Sequence, residues 1–144
     1  MNILVRVADI KEKFSKIVYW EDKYKFIIEQ GKNLPNLDES KRLEQNKVKG
    51  CQSQVWLHAE VKDGKILFQG DSDAAIVKGL LAMLIGIYSD STPEEILNLR
   101  PTFVDEIGLR EHLSMTRSSG LSAMLKQFGF YALAFQMKIR MEKK

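Results

Sequence analysis

Apolar residues at three- and four-residue spacings open the chain. Val7, Ile10, Phe14, Ile17 and Val18 share one face of an amphipathic helix. Trp20, Tyr24, Ile27 and Ile28 repeat the pattern in a second helix, with Gly31 placed to stop it as a C′ residue. Asn33–Glu44 contains Pro35 and little periodicity, and reads as a loop. From Val55 the period falls to two: Val55, Leu57, Ala59 and Val61 face one way, Trp56, His58, Glu60 and Lys62 the other. Asp63-Gly64 is a favoured dipeptide for a tight hairpin turn, because both central positions need positive φ. Ile66, Leu67 and Phe68 form the returning strand, and Asn46–Lys49 is available as a short third one.

Asp71 and Ser72 are suited to cap a helix that begins near Asp73. That helix is apolar almost all round, through Ala74, Ile76, Val77, Leu80, Leu81, Met83, Leu84, Ile85 and Ile87, which places it at the centre of the core. Thr92-Pro93-Glu94-Glu95 spells a capping box with proline at the first helical position, and the short helix it starts ends before Pro101. Ser118 or Ser119 is expected to cap a last helix. There Leu121, Leu125, Phe128, Ala132, Phe135 and Ile139 form a core stripe, and close packing is expected to offset the helix cost of Gly129. Helices, a hairpin and more helices predict an α+β fold with a small antiparallel sheet of about three strands, as one domain over 1–144.

Composition narrows the function. At 144 residues and 44% hydrophobic, the chain has enough apolar material for a core without disulfides or a structural metal. Twenty-two basic against 19 acidic residues leave +3, well short of a dedicated nucleic-acid binder. A single cysteine excludes an intramolecular disulfide framework, and it argues against a zinc ribbon or a cluster scaffold, which draw several thiolates from one chain. The start MNILVRVADIKEKF lacks the features of a signal peptide, and the densest apolar run, Gly79 to Tyr88, is too short to span a bilayer. A cytoplasmic protein with no membrane contact is expected. The basic end, Lys138, Arg140, Lys143 and Lys144, reads as a solvated helix terminus favourable to the dipole.

The chemistry is concentrated in Val48-Lys49-Gly50-Cys51-Gln52-Ser53-Gln54-Val55-Trp56. Cys51 falls just before a strand. Gly50 can take positive φ and leaves space beside the sulfur for an approaching group. The Gln52 amide and Ser53 hydroxyl are candidate donors to a thiolate, and Lys47 and Lys49 are close enough in sequence to lower its pKa. An isolated cysteine is most often a small buried hydrophobe, but this one precedes the apolar strand instead of lying in its core face. His58 reads as a surface residue and His112, in REHL, as a capping or packing residue.

The run GCQSQVW at 50–56, followed by QGDSDAAIVKGL at 69–80 and RSSGL at 117–121, resembles the SufE family of sulfur acceptors in iron–sulfur cluster assembly. The similarity extends to WEDKYKFIIEQGKNLP at 20–35. It implies a small α+β fold similar to the IscU-type cluster scaffolds, with the cysteine loop tucked into an apolar pocket at rest and swinging out on docking. It also implies that Cys51 accepts sulfur from a SufS-type cysteine desulfurase, activates that enzyme, and passes the sulfur to an iron–sulfur scaffold of the SufBCD type. The only group carried would be a covalent persulfide on Cys51, because pyridoxal phosphate belongs to the desulfurase. Asp73 matches an acidic residue beside the cysteine loop, and Arg117 matches an arginine that would hold the desulfurase-facing surface or pair with an acidic group. With Gly50, Gln52 and Ser53 they make up the implied loop and partner-binding set, with no metal. Met115-Thr116 stands where family members often have a proline-serine pair. A monomer or weak homodimer is expected. The alternative from a different class is a cysteine hydrolase using Cys51 with His58 or His112, which would need the imidazole within hydrogen-bond reach of the sulfur.

Overall fold

The computed structural model describes residues 2–142. Two helices come first, α1 (Ile3–Ser15) and α2 (Trp20–Lys32), followed by a segment with single 3-10 turns at Glu39–Lys41 and Glu44–Asn46. A hairpin follows, β1 (Val55–Lys62) and β2 (Lys65–Ser72), then α3 (Ala75–Tyr88), the short α4 (Pro93–Asn98) and α5 (Phe103–Glu106), and the long α6 (Met115–Glu142). Lys143 and Lys144 of the basic terminus lie outside the described residues.

The hairpin forms as its turn dictates. Asp63 and Gly64 have φ of 54° and 78°, and the strands pair antiparallel from Val55 opposite Ser72 to Lys62 opposite Lys65. Among the described residues the sheet has two strands, not about three. The expected third strand is reduced to a single bridge between Lys47 and Trp56, with the Val48 N–H on the Val55 carbonyl at 2.8 Å. It stops there because the chain turns away at Gly50, where φ is +96°.

α3 occupies the centre of the core, as its composition requires. Leu80 and Leu81 are fully buried, and Tyr88 stacks on Phe128 of α6 with centroids 4.8 Å apart. Burial pushes the Tyr88 hydroxyl up to about 12. On its other side α3 crosses α2 with almost no side chain between the backbones. A Cβ on Gly79 would lie 2.1 Å from the Ile27 carbonyl oxygen, and one on Gly31 would lie 2.8 Å from the Gly79 nitrogen. Gly31 is therefore an interior contact residue of α2 and not its stop, which comes at Asn33.

Other boundaries also differ from expectation. Asp71 and Ser72 complete β2, and Ala74 is the N-cap of α3 without a side-chain cap. The Asp71 carboxylate instead ties three segments together, accepting from Arg42 at 2.6 Å and from Lys78 at 3.2 Å. Burial alone would raise its pKa, but those bonds and the Ser72 N–H hold it below the usual carboxylate value. Arg42 also lies over the Trp56 ring at 5.2 Å, half-burying a residue expected on the polar face. The capping box at Thr92 and Glu95 forms in both directions. α6 begins at Met115, so Ser118 and Ser119 are inside it; the Ser114 hydroxyl accepts the Arg117 N–H at 3.2 Å. Leu121, Phe128 and Ala132 are buried as the stripe predicts, whereas Leu125, Phe135 and Ile139 are half-buried. Among the described residues nothing lies within 4 Å of where a Cβ on Gly129 would stand, so their packing does not compensate it.

Arg6 supplies a tie with no periodic signature. Its guanidinium donates to the carbonyls of Ile87, Ser89 and Asp90 at 2.8, 2.6 and 3.0 Å, closing the C-terminal end of α3 against α1. No helix among the described residues is long and apolar enough to cross a membrane.

Candidate functional site

The segment from Lys49 to Gln54 leaves the sheet edge and lies against the first turns of α6 and α3. Gly50 makes the turn, and a side chain there would meet Ala123 of α6 at 3.2 Å in addition to the strained φ. The next residue, Cys51, is thereby aimed at α6. It is a half-buried free thiol whose Sγ donates to the Gly120 carbonyl at 3.5 Å. Gly120 lacks the side chain that would close this space: a Cβ there would stand 3.5 Å from the sulfur.

A cavity of about 20 Å3 adjoins the sulfur, walled by Cys51, Gln52, Ser53, Val77, Thr116, Arg117, Gly120 and Met124. That volume takes about one water-sized sphere. Burial raises the thiol above its ordinary pKa. The expectation that Lys47 and Lys49 lower it is overturned: desolvation dominates, and Lys47 is engaged with Glu44 at 3.1 Å. The Gln52 amide and Ser53 hydroxyl wall the cavity, but among the described residues neither is hydrogen-bonded to the sulfur.

Asp73 closes the far end of the loop. Its carboxylate accepts the Gln54 N–H at 3.0 Å and its own N–H donates to the Gln54 carbonyl at 3.3 Å. The residue at the α3 entrance thus fixes where the cysteine loop rejoins β1. Arg117 sits at the cavity wall on the exposed first turn of α6, and among the described residues no carboxylate pairs with its guanidinium.

The two histidines lie elsewhere. His112 stacks on Trp20, with centroids 3.8 Å apart and planes 10° from parallel, and its Nδ1 is 2.9 Å from the Gly108 carbonyl. His58 is half-buried on β1, with Nε2 4.0 Å from Glu60. Among the described residues neither imidazole is hydrogen-bonded to Cys51.

The structure thus joins Cys51, Gln52, Ser53 and Arg117 around one cavity, with Gly50 and Asp73 as the loop's two anchors. It adds Val77, Thr116, Gly120 and Met124, which the sequence did not single out as members of the site. Gly120 and Thr116 lie in or beside the RSSGL run, which carried a signal. Val77 and Met124 look like any core residue at helical spacing.

The fold is similar to the solution structure of a hypothetical protein from Thermus thermophilus. The TM-score is 0.76, the identity 24%, and the match covers 90% of this chain and 94% of that one. At that identity the likeness concerns the fold. A family model, SufE, described as an Fe-S metabolism associated domain, matches residues 8–132. That span holds the cysteine loop, the Asp73 anchor and the α6 turns that wall the cavity, and its match places the protein in iron–sulfur metabolism: the chain belongs to the SufE family.

Proposed function

We propose that this protein is a sulfur acceptor and carrier working in the cytoplasm between a SufS-type cysteine desulfurase and an iron–sulfur scaffold of the SufBCD type. The observation that carries the reading is the pairing of the chain's single thiol with a cavity for about one further atom, roofed by a loop that begins at a positive-φ glycine.

The chemistry is an exchange without net oxidation. Cys51 gives up its proton, its thiolate attacks the outer sulfur of the partner's persulfide, and the partner's sulfur–sulfur bond breaks. The partner's cysteine leaves as a thiolate and is free for another cycle, which is how acceptance activates the desulfurase. The pyridoxal phosphate that releases sulfur from cysteine belongs to that partner. At rest the raised pKa keeps Cys51 as a thiol, which is slow to oxidise. Docking must lift the loop, and few bonds oppose that: the contact to Gly120 and the pair between Gln54 and Asp73. Once loaded, the loop settles back with the added sulfur in the cavity.

The test is intact-protein mass spectrometry after incubation with a desulfurase and cysteine, without reductant. A gain of one sulfur atom, removed by dithiothreitol, is expected. No gain beside a demonstrably active desulfurase would count against the reading. Gly120→Ala probes the cavity separately. Its methyl would sit in ordinary contact with the thiol but in the space of the added sulfur. Helix propensity makes the variant equally stable or more so by up to about 1 kcal/mol. The persulfide's lifetime after removal of the desulfurase is expected to shorten by about tenfold, within the roughly 1–3 kcal/mol range of overpacking. An unchanged lifetime would mean that the sulfur is stored outside the cavity.

A further inference from the structure

A second and larger depression opens on the other side of the cysteine loop, with a volume of about 580 Å3. Gly50 forms part of its wall, and its charged lining is of one sign: Lys47 and Lys49 from the loop and Lys126 from α6, with Ser119 and Ser122 of α6 also in the wall. No aspartate or glutamate lines it among the described residues. Among those same residues Lys49 and Lys126 have no ion pair, and Lys47 is paired only with the exposed Glu44.

Two ammonium groups without an ion pair, Lys49 and Lys126, with Lys47 beside them and no carboxylate in the wall among the described residues, make a positive field that an acidic ligand complements. The cleft is much too large for one inorganic anion, and its cations come from two separate segments, the loop and α6. Among the described residues no aromatic side chain on which a base would stack lines it. An extended ligand bearing several carboxylates fits these features.

We propose that the Lys47–Lys49–Lys126 cleft is the seat of an acidic peptide segment of the desulfurase that hands sulfur to Cys51. The partner's identity rests on the carrier reading; the binding itself does not. Lys49 and Gly50 belong both to the cleft and to the loop that holds the thiol. A segment seated there therefore grips the loop one residue from the reacting sulfur and positions the outer sulfur of the partner's persulfide for attack by Cys51.

The experiment uses the full chain and a hexaglutamate peptide at low ionic strength, followed by amide chemical shifts. Shifts are expected at 47–50 and 119–127. Lys49→Glu combined with Lys126→Glu is expected to weaken the peptide by about tenfold or more. Lys138→Glu is the control, on the same helix about 18 Å further along its axis, and should leave affinity within about twofold. Lys49→Gln with Lys126→Gln should fall between, and thermal melts establish that each variant is folded. Cys51→Ser should bind the peptide as the wild type does, which keeps this result apart from the fate of the carrier reading. Absence of binding, equal loss in the Lys138→Glu control, or shifts scattered over the surface would overturn the proposal. So would tighter binding of an oligothymidylate that responds to the same lysines.

Discussion

Gly79→Ala is expected to destabilise the protein by about 3 kcal/mol or more, seen as a lower urea midpoint and a melting temperature lower by roughly 6–12 °C. The added methyl would stand 2.1 Å from the Ile27 carbonyl oxygen and 2.6 Å from its carbon, both backbone atoms that no rotamer change can move. α2 and α3 must therefore separate, opening the contact along the centre of the core. The helix propensity gained by alanine, about 1 kcal/mol, offsets only part of this. Gly86 on the same helix is the matched control. Among the described residues nothing lies within 4 Å of its missing Cβ, so Gly86→Ala should be neutral or stabilising by up to about 1 kcal/mol. Adding Gly31→Ala to Gly79→Ala should cost less than the sum, because one separation of the helices relieves both clashes. Equal stability of Gly79→Ala and Gly86→Ala would show that the helices do not cross where the two glycines face each other. The crossing matters for the site as well: the first turns of α3 hold Val77 at the cavity and follow directly from Asp73 at the loop.

What was legible in the sequence divides along a physical line. Periodicity and turn chemistry are local, so the hairpin, its Asp63-Gly64 turn, the capping box at Thr92 and the buried α3 could all be read from neighbouring residues. Helix ends were harder. Ser118 looked like a cap because nothing local distinguishes it from Ser114, whose hydroxyl takes that part. Gly31 has a stop residue's identity but a contact residue's role, and only its distant partner at Gly79 reveals it. Val18 fits the α1 stripe yet is 78% exposed, because the helix has already ended at Ser15. The Arg6 tie to the end of α3 is likewise invisible without the fold. For the site, the motif runs singled out Cys51, its flanking loop, Asp73 and Arg117, while the electrostatics were misjudged. Lysines near a cysteine in sequence argued for a depressed pKa, but burial against α6 dominates and acts in the opposite direction. The cavity needed three dimensions, since its walls come from the loop, α3 and α6.

Cys51→Ser is expected to eliminate sulfur uptake entirely while changing stability by no more than about 1 kcal/mol, since a hydroxyl keeps a donor for the Gly120 carbonyl in nearly the same volume. A hydroxyl is not ionised at neutral pH and does not displace a thiolate from a persulfide, so the loss should be complete and not partial. A sulfur gain retained by the serine variant would remove Cys51 from the mechanism. The wild-type thiol offers a second, independent check through its pH dependence. Its pKa is raised by burial, so at neutral pH nearly all of it is protonated, and the reactive thiolate increases only as pH rises through and beyond the ordinary thiol value of about 8.5. Alkylation by iodoacetamide should therefore be slow near neutral pH and still climbing at about pH 9, without a plateau below the ordinary value. Saturating desulfurase should move that profile to lower pH if docking lifts the loop, because the exposed thiolate regains its hydration. A free chain whose alkylation levels off below about pH 8 would mean that the thiol is already solvated at rest, and the cavity would then have no part in guarding it. A profile unmoved by the desulfurase would instead leave the sheltered thiol in place and take away the swinging loop.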